Sequence, residues 1–156
     1  MAEEEKGELK ERKRPAIGAY HPTSEPTIIN TTVCTKEKRP WLASEEVHAI
    51  LREVWMEASS WRVGRYMIMP DHIHLFAGLA GTIPFENWVV YWKSLFTKRH
   101  EIDGHRWQSR QWDRRVRTRK SYEEKWEYIR HNPVRHGLVE KPEDWPYQGE
   151  LFTLDW

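Results

Sequence analysis

Cysteine is almost absent from this sequence: of 156 residues, only Cys34 carries a thiol. One thiol can close no internal disulfide and build no cysteine-based zinc cage, so a reducing, cytoplasmic setting is expected. Long apolar runs are missing too. None approaches the ~20 residues that a bilayer crossing needs, and no membrane partner is expected. Met1–Arg14 is charged throughout, has no apolar stretch and does not read as a secretory leader. There is no glycine-rich phosphate loop and no GxSxG elbow. Carboxylates are plentiful, yet none has a spacing that singles out an acid–base pair.

What is present is enough chain for one domain with a sizeable core and an uneven distribution of charge. The net charge is only +1. Residues 91–120, however, hold ten basic side chains against three acidic ones, a local balance of +7 that leaves −6 for the rest. Such asymmetry suggests a face turned toward a polyanion, although a basic run alone reads equally well as a solvated face. Ten tryptophans are the second oddity. Most suit a core, but Trp107 and Trp112 fall inside the basic window, where indole rings can stack on unpaired bases.

Met1–Arg14 reads as a disordered arm, and Pro15, Pro22 and Pro26 keep the segment up to the first strand irregular or extended. The β-branched run Thr27–Cys34 predicts a first strand. Ser44 caps a helix with Glu45 and Glu46 in its first turn and Val47, Ile50, Leu51, Val54 and Trp55 at helical spacing. Two strands, Trp61–Met69 and His72–Leu79, flank a Pro70–Asp71 turn. A second helix runs from about Pro84 to His100 and is ended by Gly104, with Phe85, Trp88, Val89, Trp92, Leu95 and Phe96 as its buried stripe. Trp107–Val116 is the candidate fourth strand. Ser121 then caps a third helix, with Glu124 completing a capping box. The order β-α-β-β-α-β-α predicts an α+β, ferredoxin-like domain: a four-stranded antiparallel sheet with helices on one face. The expected organisation is an arm over 1–26, one domain over 27–147, and an acidic tail over 148–156 that packs back irregularly.

Two groups of residues could carry chemistry. In His72-Ile73-His74 the two imidazoles lie on one face of a strand, ~7 Å apart, where they could share a divalent cation. Spacing alone fits two unrelated histidines as well. Tyr128 and Asn132 share a face of the third helix, nearly opposite the stripe Tyr122, Trp126 and Ile129. Taken alone they also fit a surface aromatic and a helix-ending asparagine. Asn132 precedes Pro133, so its aim does not follow from ideal helix geometry.

Pro70-Asp71-His72-Ile73-His74, then Tyr128-Ile129-Arg130-His131-Asn132-Pro133-Val134-Arg135-His136-Gly137, and finally Asp144-Trp145-Pro146 resemble the single-tyrosine HUH transposases, specifically the REP-associated tyrosine transposases. The resemblance covers roughly residues 27–147, with both main motifs in order. It implies a histidine pair presented beneath the third helix and Mg²⁺ or Mn²⁺ held by His72 and His74, with Asn132 as third ligand. It further implies Tyr128 as a nucleophile that cleaves and rejoins single-stranded DNA through a 5′-phosphotyrosine. No ATP is needed, because the phosphotyrosine keeps the bond energy for rejoining. Lys125, one turn before Tyr128, could favour the phenolate. The implied substrates are palindromic repeat hairpins flanked by single strand. Lys93, Arg99, Arg110, Arg114, Arg115 and Arg117 are expected to follow the DNA backbone, with Trp112 on a base. Many relatives carry His where this chain has Arg114.

The competing reading is a non-catalytic, ferredoxin-like single-strand binder, which leaves the histidine pair and Tyr128 unexplained. Replication initiators and relaxases share the chemistry but have further domains, and a small-molecule metallohydrolase leaves the +7 window without purpose. A monomer is expected. The acidic tail is a candidate cover for the basic cleft.

Overall fold

The computed structural model describes residues 27–156, so the expected N-terminal arm lies outside the described residues. Strand β1 (Ile28–Thr35) is rich in β-branched residues and is central to the sheet, pairing antiparallel with two neighbours. One is β3 (His72–Leu79), which in turn pairs with β2 (Trp61–Ile68); the other is β4 (Trp107–Val116). A three-residue strand, β5 (Gln148–Glu150), completes the order β4-β1-β3-β2-β5. The sheet therefore has five strands rather than four.

Alternation along the strands builds two cores. Ile29, Val33, Val63, Ile68, Ile73, Leu75 and Ala77 face α1 (Glu45–Glu57) and α2 (Phe85–His100). The tryptophans Trp55, Trp61, Trp88 and Trp92 are fully buried in this layer. Trp107 joins it too, edge-on to Trp41, Trp92 and Phe96, so this indole of the basic window is a packing residue. On the opposite face Ile28, Met67, Phe76 and Val116 meet α3 (Arg119–Arg130) through Tyr122 and Ile129. The helices thus cover both faces of the sheet, not one. A bulge in β2 around Gly64 and Arg65 places Val63 and Tyr66 on the same face.

The caps follow local chemistry. Ser44 Oγ accepts from the Val47 amide at 3.1 Å, as its position predicts. The cap of α3 is Thr118, whose Oγ1 accepts from Ser121 N at 3.1 Å, so Ser121 lies inside the helix and Thr118 takes the role expected of it. Helix α2 ends before Gly104, with Glu101 at φ +52° in the left-handed region. Helix α3 stops at Arg130, and a four-residue turn, α4 (Asn132–Arg135), comes after a break at His131.

The tail is more regular than expected. β5 pairs with β2 through Arg65, Tyr66 and Met67, because β2 would otherwise present an unpaired edge. Its acids lie near arginines: Glu150 is 3.8 Å from Arg65 and Glu143 is 3.7 Å from Arg130. The tail is therefore at the edge opposite β4 and does not cover the basic strand. No helix among the described residues is long and apolar enough to cross a membrane.

Candidate active site

The tyrosine cleft is assembled from the turn before β3 upward. Thr35 N–H donates to Asp71 O at 3.0 Å, and Thr35 Oγ1 adds a second bond to the same carbonyl at 3.2 Å. Asp71, pinned in this way, holds His72 Nδ1 at 2.7 Å through Oδ1. On β1, Thr32 Oγ1 lies 3.1 Å from His74 Nδ1. Both imidazoles are thereby anchored through Nδ1, which leaves each Nε2 for another partner. Their ring centroids are 4.8 Å apart and the rings are nearly perpendicular. Ile73, between them, points into the opposite core.

Burial keeps both rings neutral. It is the main cause that pushes His72 below the ordinary histidine value, against the opposing pull of Asp71. His74 falls to about 3, chiefly through burial, with the neighbouring His72 and Arg135 lowering it further. A neutral imidazole keeps the lone pair that a metal needs.

Helix α3 roofs the pair. Its Tyr122 ring stands edge-on to Phe76 at 4.7 Å, and its hydroxyl accepts from Arg65 N at 3.2 Å. This contact turns Tyr128, six residues on, away from the core, and it is 67% exposed. His72, His74, Tyr128 and Asn132 all line one cleft of about 680 Å³, together with Asn30, Thr32, Arg114, Glu124, Lys125, Ile129 and His136. Asn132 is buried at the helix break, and its Oδ1 accepts a hydrogen bond from Arg135 Nη2. His131 turns back to its own helix, with Nδ1 at 2.9 Å from Glu127 O.

The basic residues divide between the two faces of the sheet. Across the strands, Met67, His74, Thr32 and Trp112 stand in one row. The adjacent row is Phe76, Asn30 and Arg114. Arg114 therefore lines the cleft with the histidines, and Trp112, 40% exposed, is on the same face, separated from His74 by Thr32. Arg110 is exposed on the irregular part of β4, and Arg117 is exposed just beyond it. Arg115 is opposite Ile29 and so points to the α1–α2 side. Lys93 and Arg99 are on that side as well. Lys93 Nζ donates to Gln108 O at 2.9 Å, and Arg99 is ion-paired with Glu57. Lys93 lines a separate cavity of about 750 Å³ between α2 and the start of β4.

The donor set can be tested for a divalent cation. Among the described residues no group of three or more His, Cys, Asp or Glu side chains is gathered for a metal. A site here depends on the two imidazoles plus an amide oxygen. Besides Asn132, the cleft contains Asn30, whose Oδ1 is buried with no hydrogen-bond partner. Two neutral nitrogens and carbonyl-type oxygens suit Mn²⁺, or Mg²⁺ with retained waters, so the residues fit.

Sequence reasoning did not single out Thr32, Asn30 or Arg135. Thr32 and Asn30 alternate with core residues on a strand, and only the register across β1 and β3 brings them to the histidines. Arg135 belongs to the quoted motif, but its contact with Tyr128 depends on the break at His131.

No family model matches the chain. A protein of Haemophilus influenzae assigned as a REP-associated tyrosine transposase is 32% identical over 112 residues, 57% of this chain and 62% of its own length. The chain thus spans somewhat under two thirds of that relative. The REP-associated tyrosine transposase of Escherichia coli K12 is 30% identical over 120 residues, covering 70% of this chain and 69% of the relative. Among solved structures, a REP-associated tyrosine transposase bound to a REP hairpin superposes with a TM-score of 0.68 at 25% identity, over 78% of this chain and 75% of that one. A Deinococcus radiodurans protein assigned as a transposase shares the fold, with a TM-score of 0.51 at 17% identity over 70% of this chain and 92% of that one. With both histidines and the tyrosine in one cleft and this extent of identity to the Escherichia coli protein, the chain belongs to the REP-associated tyrosine transposase family.

Proposed function

We propose that this chain is a divalent-metal-dependent endonuclease and strand transferase, acting on single-stranded DNA beside palindromic repeat hairpins through a 5′-phosphotyrosine on Tyr128. The observation that carries the reading is the convergence of Tyr128, His72, His74 and Asn132 on one open cleft, flanked by Arg114 and Trp112. The hairpin bound to the solved relative supports the substrate class.

His72 and His74 would hold the cation through Nε2, with the Asn132 side chain completing the protein ligands. Bound there, Mg²⁺ or Mn²⁺ supplies Lewis-acid polarisation of the scissile phosphate. Arg114 and Trp112 hold the strand, by a phosphate contact and by stacking. The Tyr128 oxygen attacks phosphorus, and its proton passes to water in the open cleft. The new Oη–P bond forms as the P–O3′ bond breaks, and the departing 3′ oxygen takes a proton from water. Reversal, with a 3′-hydroxyl as the attacking group, rejoins DNA without a nucleotide cofactor. Lys125, lining the same cleft, places a positive charge where phenolate character develops.

The test is incubation with a hairpin oligonucleotide carrying a flanking single strand, in Mn²⁺. An SDS-resistant protein–DNA adduct is expected, lost in Tyr128→Phe, in His72→Ala and on chelation by EDTA. Tight hairpin binding with no adduct under any metal would instead leave a non-catalytic binder.

A further inference from the structure

We propose that Arg135 is the positioning residue of the tyrosine site, a single guanidinium that holds both the Tyr128 ring and the Asn132 side chain across the break between α3 and α4. The inference rests on the reading of Tyr128 as nucleophile and adds the group that aims it.

The arginine carbon Cζ is 3.8 Å from the centroid of the Tyr128 ring, a close cation–π contact. The same side chain donates from Nη2 to the Tyr128 backbone oxygen at 2.6 Å and to Asn132 Oδ1. That carbonyl also accepts from the His131 amide at 3.3 Å, and because α3 stops at Arg130 its other lone pair is open to the guanidinium. An arginine serving only as a helix cap needs that carbonyl bond alone. Here the guanidinium face also covers the phenol ring, and its edge also meets the amide.

Tyr128 needs such support. It is mostly exposed and points away from the stripe that packs α3 on the sheet, so core packing does not fix its two side-chain torsions. A planar fork can stack and donate at once, which a lysine ammonium cannot do. In-line attack tolerates little drift, and misplacement by ~1 Å can cost on the order of 100-fold in rate.

The experiment uses the full chain, with Arg135→Ala and Arg135→Lys compared with the unsubstituted protein on the hairpin substrate in Mn²⁺. In both variants the single-turnover rate of adduct formation at saturating DNA should fall about 10- to 100-fold. Hairpin affinity should change far less than the rate. Added guanidinium should restore part of the Arg135→Ala rate and none of the Arg135→Lys rate, because the lysine fills the space. A second readout needs neither metal nor DNA: 3-fluorotyrosine placed at position 128 should give a ¹⁹F resonance displaced from that of an exposed tyrosine, and both variants should move it to the exposed value. Arg135 is exposed, so both proteins should fold; circular dichroism checks this, and Arg135→Lys alone suffices if the alanine variant does not fold. Full activity in Arg135→Lys, or a fluorine resonance unchanged by either substitution, overturns the proposal. If the unsubstituted protein forms no adduct, or Tyr128→Phe still forms one, the nucleophile reading fails instead, and the fluorine resonance still reports whether Arg135 holds the ring.

Discussion

Arg114 and Trp112 share the histidines' face of the sheet from β4, with β1 between them and β3, and their contributions can be separated by chemistry. Arg114→Ala should weaken hairpin binding across sequences and lower the salt slope of log K by about 1, the signature of one lost phosphate contact. Trp112→Ala should cost about 1–3 kcal/mol in binding to the single-stranded flank with the slope unchanged, measured by fluorescence anisotropy over a salt series. Lys93 behaves differently. Burial lowers its ammonium from 10.5 to about 8. The folded chain therefore releases this proton at lower pH than the unfolded chain. The resulting cost in stability is complete below pH ~8 and fades as pH rises toward the unfolded value. Lys93→Met should raise Tm at pH 7 and do so less at pH 10; equal gains at both would contradict the burial account.

At the level of elements, the last strand holds the edge of the sheet. Leu154 is buried, and its side chain fills the space over Gly64, where an added Cβ would come within 2.7 Å of it, and lies close to Gly78. Leu154→Ala should destabilise the protein by roughly 2–4 kcal/mol in urea unfolding. Gly149 passes over the Tyr66 hydroxyl, which is bonded to His48 Nε2 and Arg52 Nη1, both at 2.6 Å. A methyl group at position 149 would lie 2.8 Å from that oxygen, so Gly149→Ala should loosen β5 and speed hydrogen exchange at its amides. Removing residues 148–156 is thus expected to lower stability, and any change in cleavage should track that loss, because no tail residue lines the cleft.

For the whole molecule, every group of the candidate site comes from one chain. With His72, His74, Tyr128 and Asn132 of the same chain on one cleft, mixing Tyr128→Phe with His74→Ala should restore no adduct. Recovery on mixing would mean that the helix of one copy serves the sheet of another.

Much of this organisation was legible in the residues themselves. The His72–His74 spacing places two imidazoles on one face of a strand, because side chains alternate there. The stripe of Tyr122 and Ile129 excludes Tyr128 from the core by helical period. The strands and first two helices arise from equally local patterns. What the sequence could not state is where separate elements meet. That α3 covers the face opposite α1 and α2 depends on which side of the sheet still exposed Ile28, Met67 and Phe76 once the tryptophan layer had packed. The three residues of β5 have no strand pattern of their own and pair only because β2 offers an open edge. Trp107 and Trp112 are alike in composition and neighbourhood, yet one packs into the core and the other flanks the cleft, through strand alternation and the irregular β1–β4 register. Local periodicity determined the types of element and the faces of the key side chains; tertiary packing decided their meeting, since contacts between distant segments are set by shared burial rather than by any one segment's pattern.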